Sequence, residues 1–195
     1  MTMPDLLPPL RPALLALVLL TGGCSFLTGP EPRYSAPAVT PTDSVSSRYS
    51  SVEVVTVTLP TYAASEDIYV RGQDGALTRL GPLWADDPAR AVTQQLAGDL
   101  SAITGARVAA EPWPFREFPA ARVDVRLTDM VATEDGRFRL VGQYFVAPES
   151  GQGDRSGRFL IESPLPAPTT ASSIATARGQ AVADLALQIA RNGLR

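Results

Sequence analysis

The sequence contains no histidine and no lysine, and it has one cysteine among its 195 residues. Without histidine, neither a Ser-His-Asp triad nor a Cys-His pair can form. Without lysine, the chain has no P-loop lysine and no Schiff-base nucleophile. Zinc sites built from histidine or from clustered cysteines are also excluded, and we expect no metal and no cofactor. Catalysis would have to depend on Asp, Glu, Ser, Tyr or Arg, so we do not expect an enzyme.

The single cysteine, Cys24, follows an N-terminal apolar segment. Residues 13–20 are apolar without interruption, Arg11 precedes them, and two glycines follow. A charged start, an apolar middle and small residues at the exit are typical of a secretory signal peptide. The apolar run is shorter than the roughly 20 residues that span a bilayer. We therefore predict a signal peptide over residues 1–23.

The position of Cys24 resembles a lipobox, the site at which bacterial lipoproteins are cleaved and lipidated on cysteine. Thr21 stands where a lipobox usually has leucine, and the alternative is an ordinary cleaved signal peptide with a cysteine nearby. Two or three acyl chains, at roughly 0.8 kcal/mol per buried methylene, would hold the protein on a membrane. In the lipoproteins that this site resembles, a serine such as Ser25 after the cysteine permits export to the outer membrane. We expect an outer-membrane anchor with the domain facing the periplasm.

The rest of the chain divides by composition into a tether and a domain. Residues 24–51 are rich in Pro, Ser and Thr and lack apolar periodicity, which predicts a flexible tether. Residues 52–195 have a length that suits one domain. Hydrophobic residues make up 45% of the chain, enough for a core, and the net charge of −3 argues against nucleic acid as a partner.

Strand and helix patterns in residues 52–195 predict an α+β domain. The β-branched run at 52–59 and the strict alternation at 122–129 predict strands, the second half-buried and antiparallel. An alanine-rich stretch at 171–192 predicts the last helix. We expect an antiparallel or mixed sheet with two helices packed on one face. Other strands are predicted at 67–71, 76–80, 107–110 and 155–161, and a partner for 122–129 follows a turn at 134–136.

The first helix has clear ends in the sequence. Asp86 or Asp87 can cap its start, Pro88 suits its first turn, and Gly105 can stop it. Between these ends, apolar residues recur at spacings of four, four and three, which predicts one buried stripe.

The order of these elements and several short motifs resemble a known family. The motifs are a tyrosine-containing segment at 33–35, a strand that ends in Leu-Pro-x-Tyr at 57–62, and a Trp-led helix entry at 83–88. With the cysteine, the late hairpin and the alanine-rich last helix, they resemble the ABC-type transport auxiliary lipoproteins. This family includes the lipoprotein of the paraquat-inducible MCE system.

The resemblance implies a function that composition alone does not. Members serve ABC transporters with MCE substrate-binding proteins, which move lipids between the inner and outer membranes. The resemblance therefore implies a non-enzymatic, membrane-anchored subunit that docks to an MCE-family protein in the periplasm. The alternative is a lipoprotein regulator of an envelope enzyme, such as a peptidoglycan synthase. A third possibility, a hydrolase without histidine, is disfavoured by the missing side chains.

Besides the lipidation site Cys24, we select aromatic residues as candidates for partner binding. A loop with three prolines could present its aromatic rings to a partner or a lipid headgroup layer, or it could cover the sheet edge. The Trp-led motif could instead place a core aromatic that seats the first helix. The tyrosine after the strand-ending proline could be a contact, or could pack with its hydroxyl in water. The candidates are Tyr62, Trp84, Trp113, Phe115 and Phe118.

Two pairs of neighbouring carboxylates have structural interpretations. Asp86 with Asp87 is interpreted as a helix cap, and Glu134 with Asp135 as part of a turn. We therefore assign no acid or base catalysis to either pair.

Overall fold

A computed structural model describes residues 29–150 and 153–195. In this part of the chain, eight strands form one mixed sheet, and two long helices pack against it. The helices are α1 (Pro88–Thr104) and α2 (Ala171–Ile189), with a 3-10 turn at Thr61–Ala63 and a π-helical turn at Ala190–Leu194. The strands are β1 (Arg33–Tyr34), β2 (Ser51–Val54), β3 (Asp67–Arg71), β4 (Leu77–Trp84), β5 (Arg107–Ala110), β6 (Ala121–Thr133), β7 (Arg137–Pro148) and β8 (Arg155–Pro164).

Strand β6 lies at the centre of the sheet and is paired on both edges. Along one edge it pairs antiparallel with β7, which in turn pairs with β8. The other edge is shared by two parallel strands, β2 at its start and β3 at its end. This sharing is possible because β6 has 13 residues, whereas β2 has 4 and β3 has 5. Strand β5 lies outside β2, and β4 and then β1 lie outside β3.

One face of the sheet carries the core. The predicted inward residues of β6, namely Val123, Val125 and Leu127, are all buried, while Arg122 and Arg126 on the other face are exposed. Both helices contribute their apolar stripes to the same hydrophobic cluster, so the predicted α+β fold is confirmed. The buried partners are Phe138, Leu140, Tyr144 and Val146 on β7, Val92, Leu96, Leu100 and Ile103 on α1, and Ile174, Val182, Leu185 and Ile189 on α2.

The ends of the first helix follow the sequence signals. The Asp87 carboxylate accepts a hydrogen bond of 2.8 Å from the backbone N–H of Arg90, and Pro88 occupies the first turn. Gly105 ends the helix with φ of 67°, a left-handed conformation that favours glycine. The last helix was predicted to residue 192, but its α-helical geometry ends at Ile189, and the chain continues as the π-helical turn.

The folded unit begins earlier than the predicted boundary at residue 52. The unit starts at Pro32 and so includes residues 32–50, which we assigned to a tether. Strand β1 pairs parallel with the end of β4, and the Arg33 guanidinium forms an ion pair of 2.7 Å with Glu66.

Further along, this segment forms hydrogen bonds with the end of α1 and with the π-helical turn that follows α2. The backbone N–H of Val45 donates to the Ile103 carbonyl, and that of Arg48 donates to the Leu194 carbonyl, each at 2.9 Å. Tyr49 is buried in the core cluster. The segment is rich in Pro and Ser, which led us to predict a tether. A few apolar residues within it nevertheless pack against the rest of the domain.

Gly142 allows three strands to approach closely. It lies on β7 opposite the bulge of β6 between Leu127 and Asp129. A Cβ atom at this position would lie 2.2 Å from the Arg126 carbonyl oxygen and 3.0 Å from the Phe159 ring. Because the nearest atom is backbone, no side chain can move to make room.

We predict that Gly142→Ala lowers the free energy of unfolding by about 2 kcal/mol or more, because the added methyl overpacks the bulge. The matched control is Gly98→Ala in α1, where a Cβ would meet nothing within 4 Å. That change should raise stability by about 0.5–1 kcal/mol through helix propensity. Urea denaturation of both variants, followed by circular dichroism, measures the difference. Equal stability of the two variants would contradict the close approach.

Candidate functional site

The proposed lipid site, Cys24, and the predicted signal peptide lie outside the described residues. Within the described ranges, no helix is both long enough and apolar enough to cross a membrane. In the same ranges, no three His, Cys, Asp or Glu side chains lie together as a metal site would require. The candidate sites that the structure can place are therefore the aromatic residues and their neighbours.

Residues 111–119, here called the aromatic loop, connect β5 to β6. The Trp113 and Phe115 rings meet edge to face with their centroids 4.9 Å apart. The Trp113 indole N–H donates a 2.6 Å hydrogen bond to the Glu117 carbonyl, which ties the loop to itself. The Arg107 guanidinium lies 5.2 Å from the Phe115 ring centroid, at a distance typical of a cation–π contact.

The aromatic loop presents its rings at the surface. Phe118 is 77% exposed, Phe115 is 44% exposed, and Trp113 is half-buried. None of the three is among the residues of the core cluster. Neighbouring exposed aromatic rings on an internally tied loop are the kind of apolar patch that partners cover.

Tyr62 lies in the 3-10 turn and reaches strand β6. Its hydroxyl donates to the Asp129 carboxylate and accepts a 3.0 Å hydrogen bond from the backbone N–H of Met130. The Arg71 guanidinium binds the same carboxylate with two hydrogen bonds of 2.6 and 2.7 Å. The Tyr62 ring also meets the Tyr69 ring edge to face at 6.1 Å. Tyr62 therefore contacts both β6 and β3, and its hydroxyl is hydrogen-bonded inside the protein.

This network shifts the pKa values of its members. Burial, followed by the hydrogen bond to Asp129, raises the pKa of Tyr62 to about 12. Burial alone would raise the pKa of Asp129, but the hydrogen bonds from Arg71 and Tyr62 outweigh it and lower that pKa. The hydrogen bond to Asp129 also raises the pKa of Arg71. At neutral pH the network holds an ionised pair and a neutral phenol, and so has no group ready to exchange a proton.

Trp84 lies in the core and not at the surface. It ends β4 and is only 4% exposed. The Arg178 guanidinium of α2 stacks on its ring, 3.9 Å from the centroid. The ring therefore packs under α2 and offers almost no surface to a partner.

Arg178 is a candidate that the sequence reasoning missed. It is 4% exposed, and its Nε and Nη1 atoms are buried without a hydrogen-bond partner in the described part of the chain. Burial lowers the pKa of Arg178 to about 10, although the nearby Asp86 charge acts in the other direction. The sequence did contain a signal that Arg178 faces the core. Arg178 lies four residues after Ile174 and four before Val182, inside the apolar stripe of the helix.

The candidates do not form one site. The aromatic loop adjoins β5, Tyr62 lies against the end of β6, and Trp84 lies under α2. No hydrogen bond or ring contact in the described ranges joins the three groups. The paired carboxylates have structural roles, as interpreted from the sequence: Asp87 caps α1, and Glu134 with Asp135 lies in the β6–β7 turn.

We predict that Asp129→Asn lowers the free energy of unfolding by about 1–3 kcal/mol at neutral pH, because Arg71 loses its charged partner. Since the Asp129 pKa is lowered in the fold, its stabilisation is complete above the unfolded pKa of about 3.9 and is lost as the pH falls through the folded pKa. The stability gap between the wild type and the variant should therefore shrink between about pH 6 and about pH 2.5.

The control is Asp124→Asn, which breaks the exposed ion pair with Arg126, whose side chain is 61% exposed. This change should alter stability by less than about 0.5 kcal/mol. Urea titrations compare each of the two variants with the wild type at both pH values, which gives four comparisons. A gap for Asp129→Asn that widens in acid would contradict the direction of the pKa shift.

Comparison with known proteins supports the fold and the family. The model of a family described as "ABC-type transport auxiliary lipoprotein component" matches residues 34–190. No curated protein matches the chain. A solved structure of an uncharacterised protein is 18% identical with a TM-score of 0.68, over 83% of this chain and 97% of the other. A Xanthomonas campestris protein (DUF330) is 17% identical with a TM-score of 0.58, over 85% and 92%.

At these identities the two structures show similarity of fold alone. The family match covers most of the chain, starts inside β1 and ends just after α2. It therefore spans the folded unit described above, including the N-terminal segment that lies along the domain. The chain belongs to the ABC-type transport auxiliary lipoprotein component family.

Proposed function

We propose that this chain is a non-enzymatic, lipid-anchored auxiliary subunit of an ABC transporter of the MCE type, which moves lipids between the two membranes of the envelope. The observation that carries the proposal is the family match over residues 34–190. The complete absence of histidine and lysine agrees with a subunit that binds and positions a partner protein and catalyses no reaction. Its partner in this proposal is an MCE-family protein in the periplasm.

The anchor in this proposal is Cys24, lipidated after removal of residues 1–23. Ser25 favours the outer membrane as its destination. The folded unit begins at Pro32, eight residues after the cysteine. Even a fully extended chain of this length reaches only about 28 Å. The domain would therefore work close to its membrane, and the partner would have to approach it there.

The aromatic loop is the surface that we propose for partner contact. Phe118 is the most exposed large apolar side chain in the described part of the chain, at 77%. Three prolines and the Trp113 hydrogen bond restrict the loop, so little conformational entropy is lost on binding. Trp84 and Tyr62 are not part of this contact, because the first is buried and the second uses its hydroxyl internally.

The proposed function is tested by affinity purification of the full-length, C-terminally tagged protein from envelope membranes. We expect an MCE-family protein to co-purify, together with its permease and ATPase. Recovery of a peptidoglycan synthase without any MCE-family protein would overturn the proposal in favour of an envelope-enzyme regulator.

We predict that Cys24→Ser leaves the domain folded but releases it into the soluble periplasmic fraction, because the acyl chains are lost. Fractionation of cells and immunoblotting measure the distribution, and metabolic labelling with a palmitate analogue measures lipidation directly. Membrane retention of the Ser variant would contradict lipid anchoring. Labelling of that variant would show that the acyl chains are attached elsewhere.

We predict that Phe118→Ala weakens recovery of the MCE-family partner by about tenfold, because a central aromatic contact is removed. Its own stability should change by less than about 0.5 kcal/mol, since the ring is exposed. The matched control is Leu160→Ala, which removes a side chain that is 59% exposed on β8, at the opposite edge of the sheet from the loop. Equal loss of partner with both variants would exclude a specific role for the loop.

A further inference from the structure

Strand β8 forms an open edge of the sheet. Across residues 29–150 and 153–195, it pairs antiparallel with β7 and has no strand on its other side. The backbone N–H and C=O groups of such an edge are a template for pairing with another chain. The Arg158 carbonyl accepts a 3.3 Å hydrogen bond from the side-chain amide of Gln188 on α2, and a carbonyl oxygen can accept a second bond. The edge is therefore available to a further strand.

The solvent-facing side chains of β8 have a symmetric arrangement. Leu160 lies near the middle of the strand and is 59% exposed. Arg158 precedes it by two residues and Glu162 follows it by two, so the three side chains share one face. In the portion of the chain that the structure describes, the Arg158 guanidinium has no hydrogen-bond or ion-pair partner. The Glu162 carboxylate lies 3.9 Å from Arg137 and 3.6 Å from Arg139 on β7, which are long distances for ion pairs.

This arrangement is complementary to an antiparallel copy of itself. With a two-fold axis at Leu160, each residue lies opposite the residue equally far beyond position 160 in the second copy. Arg158 of each copy would then lie opposite Glu162 of the other, and the two Leu160 side chains would meet at the axis. On the helix-facing side, Phe159 would lie opposite Ile161, and both are apolar residues packed in or against the core cluster. Opposite charges and apolar pairs at facing positions both stabilise antiparallel strands.

The same two charges select the register of the pairing. Charged side chains on an edge strand usually prevent it from pairing. A slipped register that brought Arg158 opposite Arg158 of the second copy, or Glu162 opposite Glu162, would place like charges together and be destabilised. The register centred on Leu160 brings opposite charges together, so the pattern favours a copy of this strand in that one alignment.

We propose that β8 joins two copies of this chain edge to edge in an antiparallel dimer, with Leu160 at the two-fold axis and an Arg158–Glu162 ion pair on each side of it. Strand β5, which the aromatic loop adjoins, lies at the opposite edge of the sheet, so the dimer leaves the loop of each copy uncovered. The inference rests on the β8 edge, and it does not depend on the identity of the transport partner.

The first test is disulfide cross-linking of the full-length protein in envelope membranes. Leu160→Cys places two thiols opposite each other at the axis, within the Cα separation that a disulfide requires. Arg158→Cys is the matched control, because its two thiols would lie about 13 Å apart along the paired strands. We expect mild oxidation to give a covalent dimer with Leu160→Cys. We expect none with Arg158→Cys or with the wild type, whose one cysteine is Cys24.

The second test measures the molar mass of the purified full-length protein in a mild detergent, by size-exclusion chromatography with light scattering at several protein concentrations. Arg158→Glu should weaken self-association by about tenfold or more, because it places carboxylates opposite each other. Glu162→Arg should weaken it similarly, because it places guanidinium groups opposite each other. An equal mixture of the two variants should associate again, since each copy then meets the opposite charge. Circular dichroism checks that each variant is folded, and the cross-linking test stands if either is not.

Three results would overturn the proposal. The first is a wild-type protein with the mass of one copy at every concentration, which would leave the edge to another partner or to none. The second is cross-linking of Leu160→Cys that is no stronger than that of Arg158→Cys. The third is self-association, of two copies or more, that persists unchanged in Arg158→Glu, which would assign it to a different surface.

Discussion

Pairing on both edges of β6 is the constraint on which the rest of the fold depends. The strand presents Val123, Val125 and Leu127 to the helices, and its two edges hold β7 on one side and both β2 and β3 on the other. Because β2 and β3 meet β6 at different heights, the halves of the sheet are joined mainly through this strand. The Asp129 network strengthens the end where β3 joins, since Arg71 of β3 and Asp129 of β6 form its ion pair.

The helical layer adds a second constraint, because it buries the charged side chain of Arg178. An arginine in the apolar stripe of α2 would ordinarily weaken the packing of that helix. Trp84 compensates in part, because its ring covers one face of the Arg178 guanidinium. Residues 34–38 of the N-terminal segment lie beside Arg178. Trp84, which was selected from a motif, is therefore buried as part of the core and supports α2 from below.

Local signals in the sequence predicted the local structure well. The start and end of α1 followed from Asp87 and Gly105, because caps depend on neighbouring residues alone. The inward face of β6 followed from strict alternation. Non-local features were not predictable in this way. The ion pair between Arg71 and Asp129 joins residues 58 positions apart, and nothing in either local pattern selects the partner. The position of the three aromatic rings on the surface was left open, because a proline-rich loop can either cover a core or project from it.

The N-terminal segment was the main departure from the predicted organisation, and it has a mechanical consequence. Any pull on the chain upstream of Pro32 enters the domain through β1. There the Pro32 carbonyl accepts from the backbone N–H of Leu83, and Arg33 is paired with Glu66. Beyond β1, the hydrogen bond from Arg48 to the C-terminal turn resists in its turn. Tension on the N-terminal segment would therefore act first on the β1–β4 edge of the sheet, and only afterwards on the contact with the C-terminal turn.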